Sequence, residues 1–242
     1  YVNQNLDFYQ ISRAQLYSNT PDDFDFKLAE TGKALDANAF ITALRDVDLV
    51  FPAIHGAFGE DGELQTLLEV HDIPHVGLPS ESCRVAFDKF ASRNLRAQHG
   101  FHSIDCYLLE SQHNYEQVIR AFYATADEVY GRRAVVKPSK SGSSIGVFSV
   151  NSVEEALTAA RRIFDEFGFD RAVIEPFISG REFCVVVMEN PDGEPVSLVP
   201  VEVETSYEGN QVFDYRKKYL PTNQVAYHCP PRFEDETIEE IQ

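Results

Sequence analysis

Two apolar, β-branched runs that frame a small polar loop constrain this chain most. The runs cover residues 134–136 and 145–150, and the loop between them, residues 137–144, reads KPSKSGSS. β-Branched residues bounded by Gly, Ser and Pro favour strands. The loop offers Lys137 at the end of the first run and two adjacent serine hydroxyls. Backbone N–H groups, hydroxyls and one lysine make an anion cradle, although a solvated hairpin loop has the same composition.

The loop differs from the common nucleotide-binding loops. A Walker A loop requires G-x-x-x-x-G-K-[ST] at the start of a helix, whereas Lys137 precedes Gly142 and a strand is predicted to follow. The chain also lacks the G-x-G-x-x-G pattern of dinucleotide-binding folds. A nucleotide would therefore have to be held by a strand–loop–strand flap.

The charge of the chain limits its partners. The 242 residues include 21 Lys+Arg and 39 Asp+Glu, a formal net charge of −18. Such an acidic surface disfavours nucleic acids and anionic membranes, so an anionic ligand must meet locally concentrated lysines. The four cysteines form no C-x-x-C pair, and no apolar run approaches twenty residues. We expect a cytoplasmic protein with reduced thiols and no membrane span.

Apolar periodicity and turn residues predict the secondary structure. We expect an irregular edge or strand pair over 7–18, a loop over 20–33, and helices over 38–45, 63–71, 81–99 and 115–130. A further helix is predicted between an N-cap at Ser152 and a closing Gly168. Buried strands are expected over 47–54 and 183–188, a short strand over 73–77 and another strand over 172–178. A turn is expected at 190–193, a returning strand over 196–204 and a final helix over 234–242.

Several polar residues stand where they could bind a ligand, and each also has an ordinary structural interpretation. His55, in a Gly-rich turn between a strand and a helix, could contact a substrate or only the local backbone. Glu175, inside an apolar strand, could accept a hydrogen bond from a ligand base or form a salt bridge. Lys89 and Glu182 could be solvated surface residues. The basic, aromatic segment 214–219 is typical of a solvated loop or of a lid over phosphates.

Taken in order, these segments resemble a known family. The sequence resembles the D-alanine–D-alanine ligases of the ATP-grasp superfamily from about residue 46 to residue 242, with less support before residue 46. A Gly-x-Glu at residues 180–182 falls where the family has a similar one. The resemblance rests on four motifs: His55-Gly56-x-x-Gly59-Glu60-Asp61-Gly62, Asp88-Lys89, Lys137-Pro138-x-x-x-Gly142-Ser143-Ser144-Ile145-Gly146, and Asp214-Tyr215-x-x-Lys218-Tyr219.

The resemblance implies an α/β (α+β) chain with the ATP-grasp fold, in which two antiparallel-rich sheets hold ATP. Residues 1–80 would form an N-terminal pre-ATP-grasp domain. Residues 81–179 would form the central subdomain with the phosphate flap, and residues 180–242 the first part of the C-terminal subdomain. We expect the chain to be a fragment that lacks both ends.

The resemblance also implies roles for individual residues. For the nucleotide, the phosphates would contact Lys89, Lys137 and Lys218 and a flap of Ser143 and Ser144; the adenine would contact Glu175, Phe177 and Ile178; and the ribose would contact Glu182. For the D-alanine substrates, the positioning residues would be His55, Ser143 and Tyr219.

The implied reaction has two steps. ATP phosphorylates the carboxylate of one D-alanine, and the amine of a second D-alanine then displaces phosphate to give D-alanyl-D-alanine for peptidoglycan. Mg²⁺ or Mn²⁺ would bridge the phosphates, with metal ligands expected beyond Gln242, so we expect this chain alone to be inactive. A homodimer is implied as well.

Two alternatives stay open at this point. One is another ATP-grasp carboxylate–amine ligase, or a depsipeptide ligase that forms D-alanyl-D-lactate. Tyr219 favours the dipeptide, because the depsipeptide enzymes often have His there. The other is a nucleotide-binding remnant without catalysis.

Overall fold

A computed structural model of the chain describes residues 1–3, 5–16, 21–126, 131–205 and 225–242. The chain forms two compact units, Tyr1–Arg84 and Val85–Gln242. The motif over residues 214–219, with Lys218 and Tyr219, lies outside the described residues.

The first unit combines a small two-stranded sheet with helices. β1 (Phe8–Gln10) pairs antiparallel with β2 (Lys33–Leu35). Its core is built from Leu64, Leu68 and Ile73, on and just after a helix. The helices that complete the unit are α1 (Pro21–Thr31), α2 (Ala37–Arg45), α3 (Glu63–Val70) and the first part of α4 (Ser80–Phe87), with a short 3₁₀ turn at Arg13–Leu16. The predictions for 38–45 and 63–71 are confirmed.

The prediction of a loop over residues 20–33 is wrong, because α1 occupies most of it. Pro21 is the first residue of this helix. Proline is well suited to that position, since its fixed φ is helical and no N–H is needed in the first turn. The loop was predicted from Pro21 and the aspartates of this segment. Leu28 is buried, so the packing of its apolar side chain stabilises a helix there instead.

The predicted buried strand over residues 47–54 is wrong as well. Within the described residues, Val50 makes a single parallel bridge to His75, and Phe51 is 73% exposed. The segment 73–77, also predicted as a strand, contributes only the other side of that bridge. An apolar run shows which residues could be buried in a sheet, but a buried strand also requires neighbouring strands to pair with and helices that cover the faces of the sheet.

The second unit contains an antiparallel sheet covered by helices on one face. After α5 (Lys89–Gln98), its strands and covering helices are β3 (Tyr107–Glu110), α6 (Tyr115–Ala126), β4 (Ala134–Pro138), β5 (Phe148–Val150), α7 (Val153–Arg161) with a π-helical turn at Arg162–Glu166, and β6 (Arg171–Pro176). The sheet has the order β3-β6-β4-β5, and every pairing is antiparallel.

Strand alternation gives this sheet one apolar face. Val136 lies opposite Ile174 in the β4–β6 pairing, and both are fully buried beneath α6 and α7. Successive side chains of a strand point to opposite faces, so Val135 and Lys137 point away from that core. The predicted strands around the polar loop are thus confirmed, with the second strand beginning at residue 148 rather than 145. The predicted N-cap is also confirmed, because Ser152 accepts a hydrogen bond from the Glu155 N–H.

A single helix over residues 81–99 was predicted, and this prediction is wrong. Asp88 has an extended backbone (φ −89°, ψ 109°) and separates α4 from α5. Its side chain accepts hydrogen bonds from the N–H groups of Phe90 and Ala91, as an N-cap does. The N–H of Lys89 donates to the Ser139 carbonyl instead of continuing a helix.

The remaining elements are β7 (Glu182–Cys184), β8 (Val187–Glu189), β9 (Pro195–Ser197), β10 (Val201–Thr205), β11 (Val225–His228) and α8 (Asp235–Ile241). They form a second, smaller sheet of order β11-β10-β7 and a separate hairpin of β8 and β9. The turn predicted at 190–193 closes that hairpin, and the final helix is confirmed. The prediction of one buried strand over residues 183–188 is wrong, because β7 and β8 belong to different sheets and Phe183 and Val187 are exposed.

Candidate functional site

A cleft of about 650 Å³ lies in the second unit and is lined by strand ends and the polar loop. It gathers residues that are far apart in the sequence, from residue 89 to residue 182. Eight residues that the resemblance assigns to a nucleotide line it: Lys89, Lys137, Ser143, Ser144, Glu175, Phe177, Ile178 and Glu182.

The pairing of β4 with β6 places two opposite charges at the floor of the cleft. Val135 lies opposite Glu175, so Lys137, two residues further along β4, emerges on the same face. Its Nζ donates to Glu175 Oε1, and both side chains are largely buried. Burying either charge alone would be costly, and the pair compensates it. Glu175 therefore forms a salt bridge and also borders the cleft. Both interpretations of this residue, the structural salt bridge and the contact with a ligand, fit the structure.

The polar loop crosses the cleft in an uncommon backbone conformation. Ser143 and Ser144 have φ values of 52° and 59°, in the left-handed region. This conformation costs non-glycine residues about 1–2 kcal/mol each, and such strain concentrates at ligand sites. Lys89 Nζ donates to the Ser141 carbonyl at 2.7 Å, which ties the start of α5 to the loop.

Asp88 connects the start of α5 to Ser139, just before the rest of the polar loop. It is buried, accepts a hydrogen bond from the Ser139 hydroxyl at 2.6 Å, and lies 3.0 Å from Arg171 Nη1. Burial by itself would raise the pKa of the Asp88 carboxyl. The bonds from Ser139 and the α5 N–H groups, together with the Arg171 charge, outweigh burial and hold that pKa below its ordinary value. Asp88 therefore stays ionised and fixes the direction in which Lys89 leaves the helix start.

A network of charged residues supports the rim of the cleft. Glu202, only 2% exposed on β10, accepts hydrogen bonds from Arg181 Nε at 2.8 Å and from Arg232 Nη2 at 3.0 Å. These bonds, Arg232 first, lower the pKa of Glu202 from 4.5 to about 2 against the opposing effect of burial. Arg181 also lies beside Glu182 at the cleft.

Sequence reasoning did not single out Arg133, which lines the cleft as well. Its guanidinium carbon lies 3.5 Å from the centroid of the Phe177 ring, and its Nε donates to Ser149 Oγ at 3.0 Å. A guanidinium stacked on an aromatic ring forms a flat cationic surface. The signal that could have found it is period two: residues 133, 135 and 137 alternate toward the cleft.

His55 belongs to the first unit. Its side chain is 82% exposed, and its Nδ1 lies 3.9 Å from Glu60 Oε1. The surrounding motif forms an ordered turn, because Glu60 accepts from the Gly56 N–H and Asp61 accepts from the N–H groups of Phe58 and Glu63. The acidic residues of this motif therefore organise the turn and the start of α3.

These features favour an anionic ligand with an apolar part. The cleft is lined by lysines, hydroxyls and strained backbone and also by the apolar side chains of Phe177 and Ile178. Across the described ranges, no group of three or more His, Cys, Asp or Glu side chains is placed to hold a metal ion. The helices in those ranges include none that is long and apolar enough to span a membrane.

Solved structures define the class of protein. The chain is similar to the D-alanine-D-alanine ligase of Coxiella burnetii, with a TM-score of 0.66 and 26% identity over 83% of this chain and 59% of that one. The VanG D-Ala:D-Ser ligase of Enterococcus faecalis has a TM-score of 0.75 over 100% of this chain and 68% of that one, with 23% identity. The fold is thus that of the ATP-grasp proteins, an α/β class, as the sequence predicted.

Family models then identify the family. Residues 1–78 match the D-ala D-ala ligase N-terminus and residues 95–242 match the D-ala D-ala ligase C-terminus. The chain therefore belongs to the D-alanine–D-alanine ligase family.

Curated relatives agree with this family. The D-alanine--D-alanine ligase of Paenarthrobacter aurescens is 31% identical over 97% of this chain, and that of Acetivibrio thermocellus is 34% identical over 82%. The aligned region spans 62% of the first relative and 50% of the second.

Proposed function

We propose that this chain is part of an ATP-dependent ligase that joins two D-alanines for peptidoglycan synthesis. The observation that supports the proposal best is the cleft, where one surface collects the lysines, the hydroxyl-bearing loop, the acid and the apolar residues that such a ligase would use for ATP. Membership of the family supports the reaction and the substrates.

In this proposal the cleft divides the nucleotide into parts of different chemistry. Lys89 and Lys137 contact the phosphates, and the Ser143–Ser144 loop closes over them. A phosphate that approaches Lys137 competes with Glu175 for the ammonium group. Glu175 would then be available to accept a hydrogen bond from the adenine amino group.

The rest of the nucleotide lies toward the rim. Phe177 and Ile178 pack on the base, and Glu182 accepts hydrogen bonds from the ribose hydroxyls. Lys218 contacts the γ-phosphate from outside the described residues. The proposed boundary at residue 180 divides the central subdomain (81–179) from the C-terminal one (180–242), which together enclose the nucleotide.

The chemistry requires positioning and charge neutralisation rather than a protein nucleophile. The carboxylate of the first D-alanine attacks the γ-phosphorus and releases ADP, which leaves an acyl phosphate. The amine of the second D-alanine attacks the acyl carbon, phosphate leaves, and the amine loses a proton. Lysines and loop N–H groups stabilise the negative charge that develops on oxygen in both steps.

Substrate positioning falls to a smaller group. We assign His55, Ser143 and Tyr219 to the D-alanines, with closure of the loop excluding water from the acyl phosphate. When bound, Mg²⁺ or Mn²⁺ would neutralise charge on the phosphates. We further propose a cytoplasmic homodimer, on the basis of the family.

The test uses the full-length gene product. ADP release would be followed with ATP, Mg²⁺ and D-alanine, with L-alanine and D-lactate as alternative second substrates. We expect release that depends on D-alanine and yields the dipeptide. Preference for D-lactate would assign a depsipeptide ligase. ATP binding without turnover with any of these substrates would assign a nucleotide-binding protein without ligase activity.

A matched pair of variants tests the cleft itself. Lys137→Met should weaken ATP binding at least tenfold, because a charge-assisted bond to phosphate is lost. Lys140→Met, at the exposed neighbour that does not line the cleft, should change ATP binding less than twofold. Equal effects of the two substitutions would contradict the assignment of the cleft.

A further inference from the structure

The carboxylate of Glu202 is the centre of an ion-pair network behind the cleft. Both of its oxygens are bonded: Oε1 accepts from Arg181 and Arg232 side chains, and Oε2 accepts from the backbone N–H and Nε of Arg232. Arg232 also lies 3.0 Å from Glu204. The network therefore joins the strand β10 to the segment that precedes α8.

Arg181 connects this network to the cleft. Its Nη2 donates to the Arg232 carbonyl at 2.7 Å, and its guanidinium carbon lies 4.0 Å from the centroid of the Phe233 ring. Three independent contacts thus hold one guanidinium. Because Arg181 immediately precedes Glu182, the same contacts also fix the backbone at the start of β7.

Strand register shows how this anchor can act on its neighbour. Glu182 lies opposite Val203 and Phe183 lies opposite Glu202 in the β7–β10 pairing. Side chains opposite each other share a face, and neighbours along a strand alternate. The network thus holds Arg181 on the Glu202 face, while Glu182 emerges on the Val203 face.

We propose that Arg181, held by Glu202 and Arg232, is a positioning residue that orients Glu182 toward the ribose hydroxyls of the bound nucleotide. This inference rests on the proposed function, in which Glu182 contacts the ribose. Anchoring the backbone from one face reduces the freedom of the carboxylate on the other face, so less conformational entropy is lost when the ribose binds.

The experiment compares ATP with 2′,3′-dideoxy-ATP, which lacks the hydroxyls that Glu182 would contact. Dissociation constants of both nucleotides would be measured on the full-length gene product by calorimetry. We expect the native protein to bind ATP about tenfold more tightly than the dideoxy nucleotide, since a hydrogen bond to a charged group contributes about that factor to binding. Arg181→Lys keeps the charge but cannot make both polar contacts. It should bring the affinity for ATP close to that for the dideoxy nucleotide and leave the latter unchanged.

Three further variants complete the design. Arg120→Lys is the matched control, because Arg120 donates two bonds to Glu116 on the exposed surface of α6; it should keep the tenfold preference. Glu182→Ala should abolish the preference. Arg232→Lys should reduce it, and this variant decides the question if circular dichroism shows that Arg181→Lys is unfolded.

The outcomes separate the two levels of the proposal. Equal weakening of both nucleotides by Arg181→Lys, or a lower melting temperature with the preference intact, would overturn the positioning role and leave the ribose assignment standing. An intact preference in Glu182→Ala would overturn the ribose contact, and the positioning role with it.

Discussion

Replacement of Asp88 is the most informative test of how the cleft is held together. Asp88→Ala removes an N-cap, worth about 1 kcal/mol, and leaves the fully buried Ser139 hydroxyl without its acceptor, at a cost of about 1 kcal/mol. It also leaves Arg171 without its close partner. We take about 2 kcal/mol for that pair, below the value for a fully buried one, because Arg171 is one-third exposed and Glu110 lies 3.7 Å away. The expected loss is about 4 kcal/mol.

Two companion variants separate these contributions. Asp88→Asn keeps the cap and the bond from Ser139 but loses the charge that pairs with Arg171, so it should cost about 2 kcal/mol. Ser152→Ala removes only the cap of α7, in the same unit, and should cost about 1 kcal/mol.

Urea unfolding would be followed by circular dichroism at a helical wavelength, because the chain has no tryptophan. The free energy of unfolding is taken from the transition of the second unit. If Asp88→Ala costs no more than Ser152→Ala, the buried network adds nothing to a simple cap and the reasoning is wrong. If Asp88→Asn costs as much as Asp88→Ala, the charge rather than the hydrogen bonds dominates.

The remaining predictions concern acid, backbone conformation and thiol reactivity. Because the pKa of Glu202 is lowered to about 2, its contribution to stability is complete above pH 4.5 and is lost as the pH falls toward 2; Glu202→Gln should flatten acid unfolding curves in that window. Gly146→Ala should lower the free energy of unfolding by about 2 kcal/mol, because Gly146 has a left-handed φ and a proline ring would lie 3.0 Å from the new Cβ. Gly168 has a similar φ but open space around it, so Gly168→Ala should cost only about 1 kcal/mol. Thermal unfolding would measure both. Burial raises the pKa of Cys106 to about 11, so peptide mapping after alkylation at pH 8 should find it modified more slowly than the exposed Cys184; equal rates would contradict the burial of that thiol.

Much of the central sheet could be predicted from the sequence. The β-branched runs around residues 137–144 became paired strands, and their alternation put Lys137 on the face opposite Val136. The cap at Ser152 also followed from local sequence. These features depend on short-range rules: alternation within a strand and bonds between a side chain and the next turn of helix.

Other elements could not be predicted, because their burial depends on distant partners. The apolar run 47–54 satisfies the pattern of a buried strand, yet it finds a single bridge in the described part of the chain. The helix predicted over 81–99 breaks at Asp88 because Ser139 and Arg171, 51 and 83 residues away, offer it better partners than continued helix does.

The sequence alone therefore determined the order of the elements around the loop, the residue types of the candidate site and the family that they resemble. Only the tertiary structure showed that Lys137 is paired with Glu175, that Arg133 is stacked on Phe177, and that Arg181 is bonded to Glu202. Local patterns reflect the geometry of a single helix or strand. The pairing of charges depends on which distant segments fold together, since a buried charge is stable only where a partner is brought to it.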